Sequence, residues 1–159
     1  LMLPDELLCS AEPAVGSLIS LSEQDECSSV LYMPVKNPWD YGCLTLHSGG
    51  NVVQNIVEKP KKGSGGSNLA VLGRYILECG IFEKIRTDSG ENREVGLTPA
   101  LNELPELKAV EYLGERYDTG NVEGYLKANV RMTFEDGVYG KAVSEWYAEM
   151  LDDRLKTYR

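Results

Sequence analysis

Three short stretches bring together residue types suited to phosphate chemistry. Asp5 directly follows Leu1-Met2-Leu3-Pro4, an apolar run that reads as a buried strand, and ligands of α/β sheets bind beyond strand C-termini. Val57-Glu58-Lys59-Pro60 sets an acid beside a base at a strand end, where side-chain alternation turns one toward a pocket and the other to its rim. Tyr117-Asp118-Thr119-Gly120-Asn121 combines a carboxylate, a tight turn and a helix start. Two separated aspartates with a lysine between them suit metal-assisted phosphate chemistry, because hard carboxylate oxygens take a divalent ion and an ammonium is a point charge for phosphate. Each stretch also fits a plainer role: an Asx-turn at Asp5, a charged strand edge at Glu58 and Lys59, a helix cap at Asp118.

Other reactive types carry less. His47, the only histidine, lies in a turn beside Ser48-Gly49-Gly50 with no Ser, Cys or Asp partner suggested around it. Cys9, Cys27, Cys43 and Cys79 are too widely spaced for a metal knuckle and too few for a disulfide scaffold, so reduced, mostly buried thiols are expected.

The elements that must position these groups follow from periodicity and turn chemistry. Residues 1–3 read as a strand ended by Pro4, and 13–24 as an amphipathic helix with Val15, Leu18, Ile19 and Leu21 on one face. A strand is expected at 29–35. Residues 41–46 and 52–57 form a β-hairpin across His47-Ser48-Gly49-Gly50-Asn51, since Gly and Asn accept positive φ. Residues 63–67, Gly-Ser-Gly-Gly-Ser, are a flexible loop. A central strand at 69–77 contains Gly73, which marks a bulge or close approach. A short helix at 79–86 is expected to turn Ile81, Phe82 and Ile85 inward, and a polar loop to cover 87–93. A helix at 98–104 has Thr98 as its cap and Pro99 at its first position. After a strand at 109–113, Asn121 caps a helix to Phe134 that Gly137 ends. The last helix, 140–156, carries the stripe Val143, Trp146, Tyr147, Met150, Leu151 and Leu155. Strands interleaved with helices plus one hairpin imply an α/β fold, a mixed sheet with flanking helices, in a single domain over 1–159.

Composition narrows the partners. The 159 residues are 42% hydrophobic and 26% charged, which suits a globular domain with a sizeable core. The net charge of -9 disfavours a nucleic-acid backbone, which needs clustered cations, yet leaves small phosphates open. There is no run of about 18 apolar residues and no basic-then-apolar leader, so neither membrane nor export is indicated and a cytoplasmic protein is expected.

Taken in order, LPDELL (3–8), YGCL (41–44), VEKPK (57–61), SNLAVLGRYIL (67–77), LTPALNEL (97–104) and RYDTGNVEGYLKANVRM (116–132) resemble the sugar-nucleotide pyrophosphorylases, most closely the bacterial UTP–glucose-1-phosphate uridylyltransferases. The resemblance covers nearly the whole chain but only the C-terminal half of such an enzyme. The family's opening glycine-rich loop, GxGTRxxPxTK, has no counterpart, so the N-terminal nucleotide-binding half is expected to be absent. The resemblance implies a Rossmann-like nucleotidyltransferase fold and transfer of a uridylyl group from UTP to glucose 1-phosphate with Mg²⁺. It further implies Asp5 and Asp118 as metal ligands, Gly42 and Glu58 against the sugar, Lys59 on its phosphate, and Val71 as a pocket wall. Two departures are visible: Pro99 stands where the family has Asp in GEIQLTDA, and Gly96 where it has Gln. An enzyme half and a non-catalytic sugar-phosphate-binding or assembly module are the two functional readings. Either exposes a sheet evolved to be buried, so a homodimer is expected.

Overall fold

Val30 and Leu31 are adjacent and both fully buried, and because strand neighbours point to opposite faces, their sheet must be covered on both sides. The computed structural model describes residues 1–85 and 96–157. In chain order the elements are β1 (Glu6–Cys9), α1 (Ala14–Asp25), β2 (Ser28–Pro34), a 3-10 turn (Pro38–Asp40), β3 (Gly42–Leu46), β4 (Val53–Glu58), β5 (Leu69–Ile76), α2 (Ile81–Lys84), α3 (Leu97–Asn102), β6 (Leu107–Glu111), β7 (Glu115–Asp118), α4 (Val122–Glu135) and α5 (Gly140–Thr157). They form two compact units, one of Leu1–Pro4 with Leu8–Glu115 and one of Asp5–Leu7 with Arg116–Arg159.

The first unit holds a five-stranded sheet in the order β4-β3-β5-β2-β6. β2 runs parallel to β6 and antiparallel to β5, while β3 is antiparallel to both β4 and β5, so the sheet is mixed as the sequence pattern predicts. One face carries Val30, Leu44, Ile56, Tyr75 and Leu107 beneath Ile81 of α2 and Ala100 and Leu101 of α3. The other carries Leu31 and Leu72, packed with Tyr112 and Leu18 of α1. Each such fully buried leucine contributes about 1.5–3 kcal/mol of transfer free energy. Residues 1–3, expected as a buried strand, are instead exposed and meet β5 as an isolated antiparallel bridge of Met2 with Arg74, with Leu3 N–H donating to the Gly73 carbonyl at 2.8 Å and Tyr75 N–H to that of Leu1 at 3.0 Å. Gly73 is a close approach, since a Cβ there would stand 2.7 Å from Leu3 Cβ.

β1 and β7 form a separate two-stranded sheet, and the second unit carries α4 and α5, which pack together with Phe134 and Tyr147 edge to face at 5.8 Å. Asn121 caps α4 as expected, its Oδ1 accepting the Gly124 N–H at 2.8 Å.

Several expectations are corrected. β1 and β7 are short strands that the apolar pattern does not announce. α2 is a single turn, so only Ile81 is buried and Phe82 is 76% exposed. α3 starts at Leu97 behind Gly96, two residues before the expected first position, so Thr98 is no cap and Pro99 is the third helical residue, tolerated because first-turn N–H groups lack intrahelical partners. The α5 stripe splits: Val143, Tyr147 and Met150 are half-buried, whereas Trp146 and Leu151 are exposed. Arg86, the loop 87–93 and the Leu155 side chain lie outside the described residues.

Candidate functional site

The β3–β4 hairpin places the first group of residues. His47 is exposed in the turn, where its N–H closes the hairpin on the Val52 carbonyl at 3.0 Å and Gly49 takes φ +77. The resulting register sets Gly42 opposite Glu58. A Cβ on Gly42 would stand 2.9 Å from Glu58 Oε2 and 3.7 Å from Ile56 Cγ2, so glycine is what lets the carboxylate lie over β3. The same Oε2 accepts a hydrogen bond from the Thr98 hydroxyl at 2.9 Å. Val71 of β5 packs against the cluster that contains Ile56, on the sheet face that α3 covers. Gly42, Glu58 and Val71 thus share one face.

Lys59 differs from the alternating strand pattern expected of it. β4 ends at Glu58, and Lys59 takes φ +43, a left-handed conformation that costs a non-glycine residue about 1–2 kcal/mol. Its N–H still reaches the Tyr41 carbonyl at 3.1 Å. The turn of the backbone, rather than strand alternation, therefore sets the direction of the exposed ammonium, and Pro60 forbids the strand from continuing through its nitrogen. Among the described residues Lys59 forms no ion pair, while Lys62 lies over the Trp39 ring at 4.6 Å. Beneath the hairpin, burial and then the charge of Glu58 push the Cys43 thiol up, which disfavours the thiolate. Cys27 is likewise buried, whereas Cys79 is exposed and Cys9 half-buried, so burial holds for fewer thiols than expected.

The second unit holds the two aspartates. Thr119 N–H donates to the Asp5 carbonyl at 2.8 Å, tying together segments remote in sequence. Asp118 Oδ1 accepts the Gly120 N–H at 3.0 Å. A Cβ on Gly120 would stand 3.2 Å from Asp118 Oδ1 and 3.5 Å from Asp5 Oδ2, so both carboxylates approach the same point beside Gly120. Arg116 lies beside them, 3.9 Å from Asp118 Oδ2, but its guanidinium is engaged by Glu6, with Nε to Oε1 at 2.8 Å. Both side chains of that pair are over nine-tenths buried, and breaking a buried ion pair is costly. The donor set fits a small hard cation, which takes one or two carboxylates and fills its other positions with water and phosphate oxygens. Glu6, Arg116 and Thr98 were not singled out by the sequence for these contacts. LPDELL and RYDTGN contain the first two, but only pairing of β1 with β7 reveals the ion pair.

A cavity of about 300 Å³ elsewhere in the first unit is lined by Ile19, Cys27, Ile76 and Leu77 with Glu23, Glu26 and Glu78, and by none of the predicted site residues. No helix among the described residues is long and apolar enough to cross a membrane.

Residues 1–135 match the family model described as nucleotidyl transferase. The chain is 32% identical over 144 residues to a UTP–glucose-1-phosphate uridylyltransferase of Staphylococcus epidermidis, covering 85% of this chain and 50% of that protein. It resembles the structure of a UTP-bound UGPase from Acinetobacter baumannii with a TM-score of 0.81 and 27% identity, over 93% of this chain and 55% of that one. A structure of UDP-glucose pyrophosphorylase complexed with UDP-glucose matches with a TM-score of 0.74 and 35% identity, over 85% and 56%. The chain thus spans about half the length of the relatives it matches.

Proposed function

The chain belongs to the nucleotidyl transferase family, and from that premise we propose that it carries the sugar-phosphate side of a UTP–glucose-1-phosphate uridylyltransferase, in the cytoplasm. In the proposed reaction an oxygen of glucose 1-phosphate attacks the α-phosphate of UTP in line. The bond from that phosphorus to the bridging oxygen breaks, and pyrophosphate leaves with the electron pair, giving UDP-glucose. Lys59 holds the sugar phosphate as a point charge, on an exposed ammonium with no competing ion pair among the described residues. Glu58 accepts hydrogen bonds from sugar hydroxyls, Gly42 leaves room for the ring, and Val71 supplies an apolar wall. Mg²⁺ held by Asp5 and Asp118 would neutralise charge developing on the phosphate oxygens. Arg116 pairs with Glu6 and also lies 3.9 Å from Asp118 Oδ2, so it would help hold the Asp118 carboxylate in place. The step assigned to these residues is binding and orienting the sugar phosphate, and orienting the α-phosphate falls to the glycine-rich loop that the family carries in its N-terminal half.

The observation that carries this reading is the convergence of Asp5 and Asp118 on Gly120. Its test is calorimetric titration with glucose 1-phosphate and UTP, with and without Mg²⁺, using Lys59→Ala as control. Binding of glucose 1-phosphate that weakens at least about tenfold in the control supports the assignment. Equal binding by both proteins, or none, refutes it.

The alternative, a non-catalytic sugar-phosphate-binding or assembly module, is favoured by the apolar surface of the second unit. Val122, Leu126, Val138, Tyr139 and Trp146 are all more than half exposed, and large apolar side chains left in solvent are the kind that a partner covers. A second copy of the chain is the proposed partner for that surface, making a homodimer. A monomeric mass by light scattering at micromolar concentration would count against it.

A further inference from the structure

Glu58 is placed by more than its own strand. Oε2 accepts from Thr98 Oγ1 at 2.9 Å and would be met at 2.9 Å by any Cβ on Gly42. Thr98 belongs to α3, whose Ala100 and Leu101 are buried in the core. In the same helix, Asn102 makes two bonds to the backbone of Ile56: its Oδ1 accepts the N–H and its Nδ2 donates to the carbonyl, both at 2.8 Å. The Thr98 hydroxyl therefore reaches Glu58 from a helix tied to the same strand that carries Glu58. The cap position of α3 is Gly96, so Thr98 lies inside the helix and not at its cap.

We propose that Thr98 is a positioning residue that fixes the Glu58 carboxylate for recognition of neighbouring hydroxyls on a hexose. The terminal torsion of a glutamate is broad, and an unrestrained carboxylate samples many orientations. With Oε2 engaged by Thr98, the plane of the carboxylate is set, and Oε1 is presented at one angle to a donor on the ligand. Charge-assisted hydrogen bonds of this kind are strong and directional, so fixing the acceptor selects which hydroxyl geometry is accepted. This inference rests on the proposed sugar-phosphate site and adds to it the residue that sets its specificity.

The test uses the full chain and titrates UDP-glucose, its C4 epimer UDP-galactose, and inorganic pyrophosphate as a probe without hydroxyls. Thr98→Val should weaken UDP-glucose about tenfold and narrow its margin over UDP-galactose, while pyrophosphate changes less than about twofold. Thr98→Ser, which keeps the hydroxyl, should return UDP-glucose to within about twofold of the original. Because Thr98 acts through Glu58, the double variant Thr98→Val with Glu58→Gln should bind no more weakly than Glu58→Gln alone. Equal losses for all three ligands, additive losses in the double variant, or unchanged UDP-glucose binding in a folded Thr98→Val overturns the inference alone. Failure of the unsubstituted chain to bind UDP-glucose overturns the proposed function and this inference with it.

Discussion

Gly124→Ala sets two physical effects against each other with opposite signs. Gly124 is the third residue of α4, and alanine is favoured over glycine in a helix by about 1 kcal/mol, so local propensity alone makes the change stabilising. The structure says otherwise. A Cβ at this position would lie 1.8 Å from the Asp118 carbonyl oxygen and 2.8 Å from its carbon. Carbon–oxygen contacts settle at about 3.3–3.6 Å, so the start of α4 and the end of β7 must separate by roughly 1.5 Å. Overpacking of a tight site costs about 1–3 kcal/mol and more when backbone must move, and subtracting the propensity gain leaves a net loss of about 2 kcal/mol. For a chain of this size the melting temperature should fall by about 4–8 °C. Thermal unfolding followed by far-UV circular dichroism reads this directly, and the same displacement should remove the magnesium-dependent part of UDP-glucose binding. A melting temperature that is unchanged or higher refutes the argument that α4 is packed on Asp118.

Asn102→Ala removes both side-chain hydrogen bonds to Ile56, and urea denaturation should show a loss of about 1–3 kcal/mol with an unchanged m-value. Asp136 accepts the N–H groups of Tyr139 and, next, Val138, which hold its carboxyl below the ordinary aspartate range. Its contribution is therefore present above the ordinary aspartate pKa and lost as pH falls through the lowered one. Amide exchange at Val138 and Tyr139 should accelerate on strong acidification, and Asp136→Ala should show the fast exchange already at neutral pH. Thiol labelling at neutral pH should modify Cys79 first and Cys27 and Cys43 only on unfolding, because burial raises both of the latter.

The parts of the fold written in local chemistry were legible in the sequence. Glycines between two β-rich runs foretold the hairpin, and Asn121 foretold the start of α4, because turn and cap preferences act over a few residues. The resemblance already implies Asp5 and Asp118 as ligands of one metal, whereas their approach beside Gly120 comes from a backbone tie between segments more than a hundred residues apart. The same holds for Glu6 with Arg116, a buried ion pair assembled by β1 and β7, which are too short to carry a hydrophobic period. Lys59 was legible by type but not by geometry. A positive φ before a proline opposes both residues' preferences, and tertiary structure has to impose it. Threonine before proline points to Thr98 as a cap, but the helix starts at Leu97 behind Gly96, and the Thr98 hydroxyl donates to Glu58 instead.

The central claim, that Asp5 and Asp118 serve a nucleotide-sugar site, is tested most directly by calorimetric titration of UDP-glucose over a series of Mg²⁺ concentrations, comparing the unsubstituted chain with Asp118→Asn. The account predicts affinity rising with Mg²⁺ by about tenfold for the unsubstituted chain, and loss of that rise in the variant. A folded chain that does not bind UDP-glucose, or an equal Mg²⁺ response in both proteins, would contradict it.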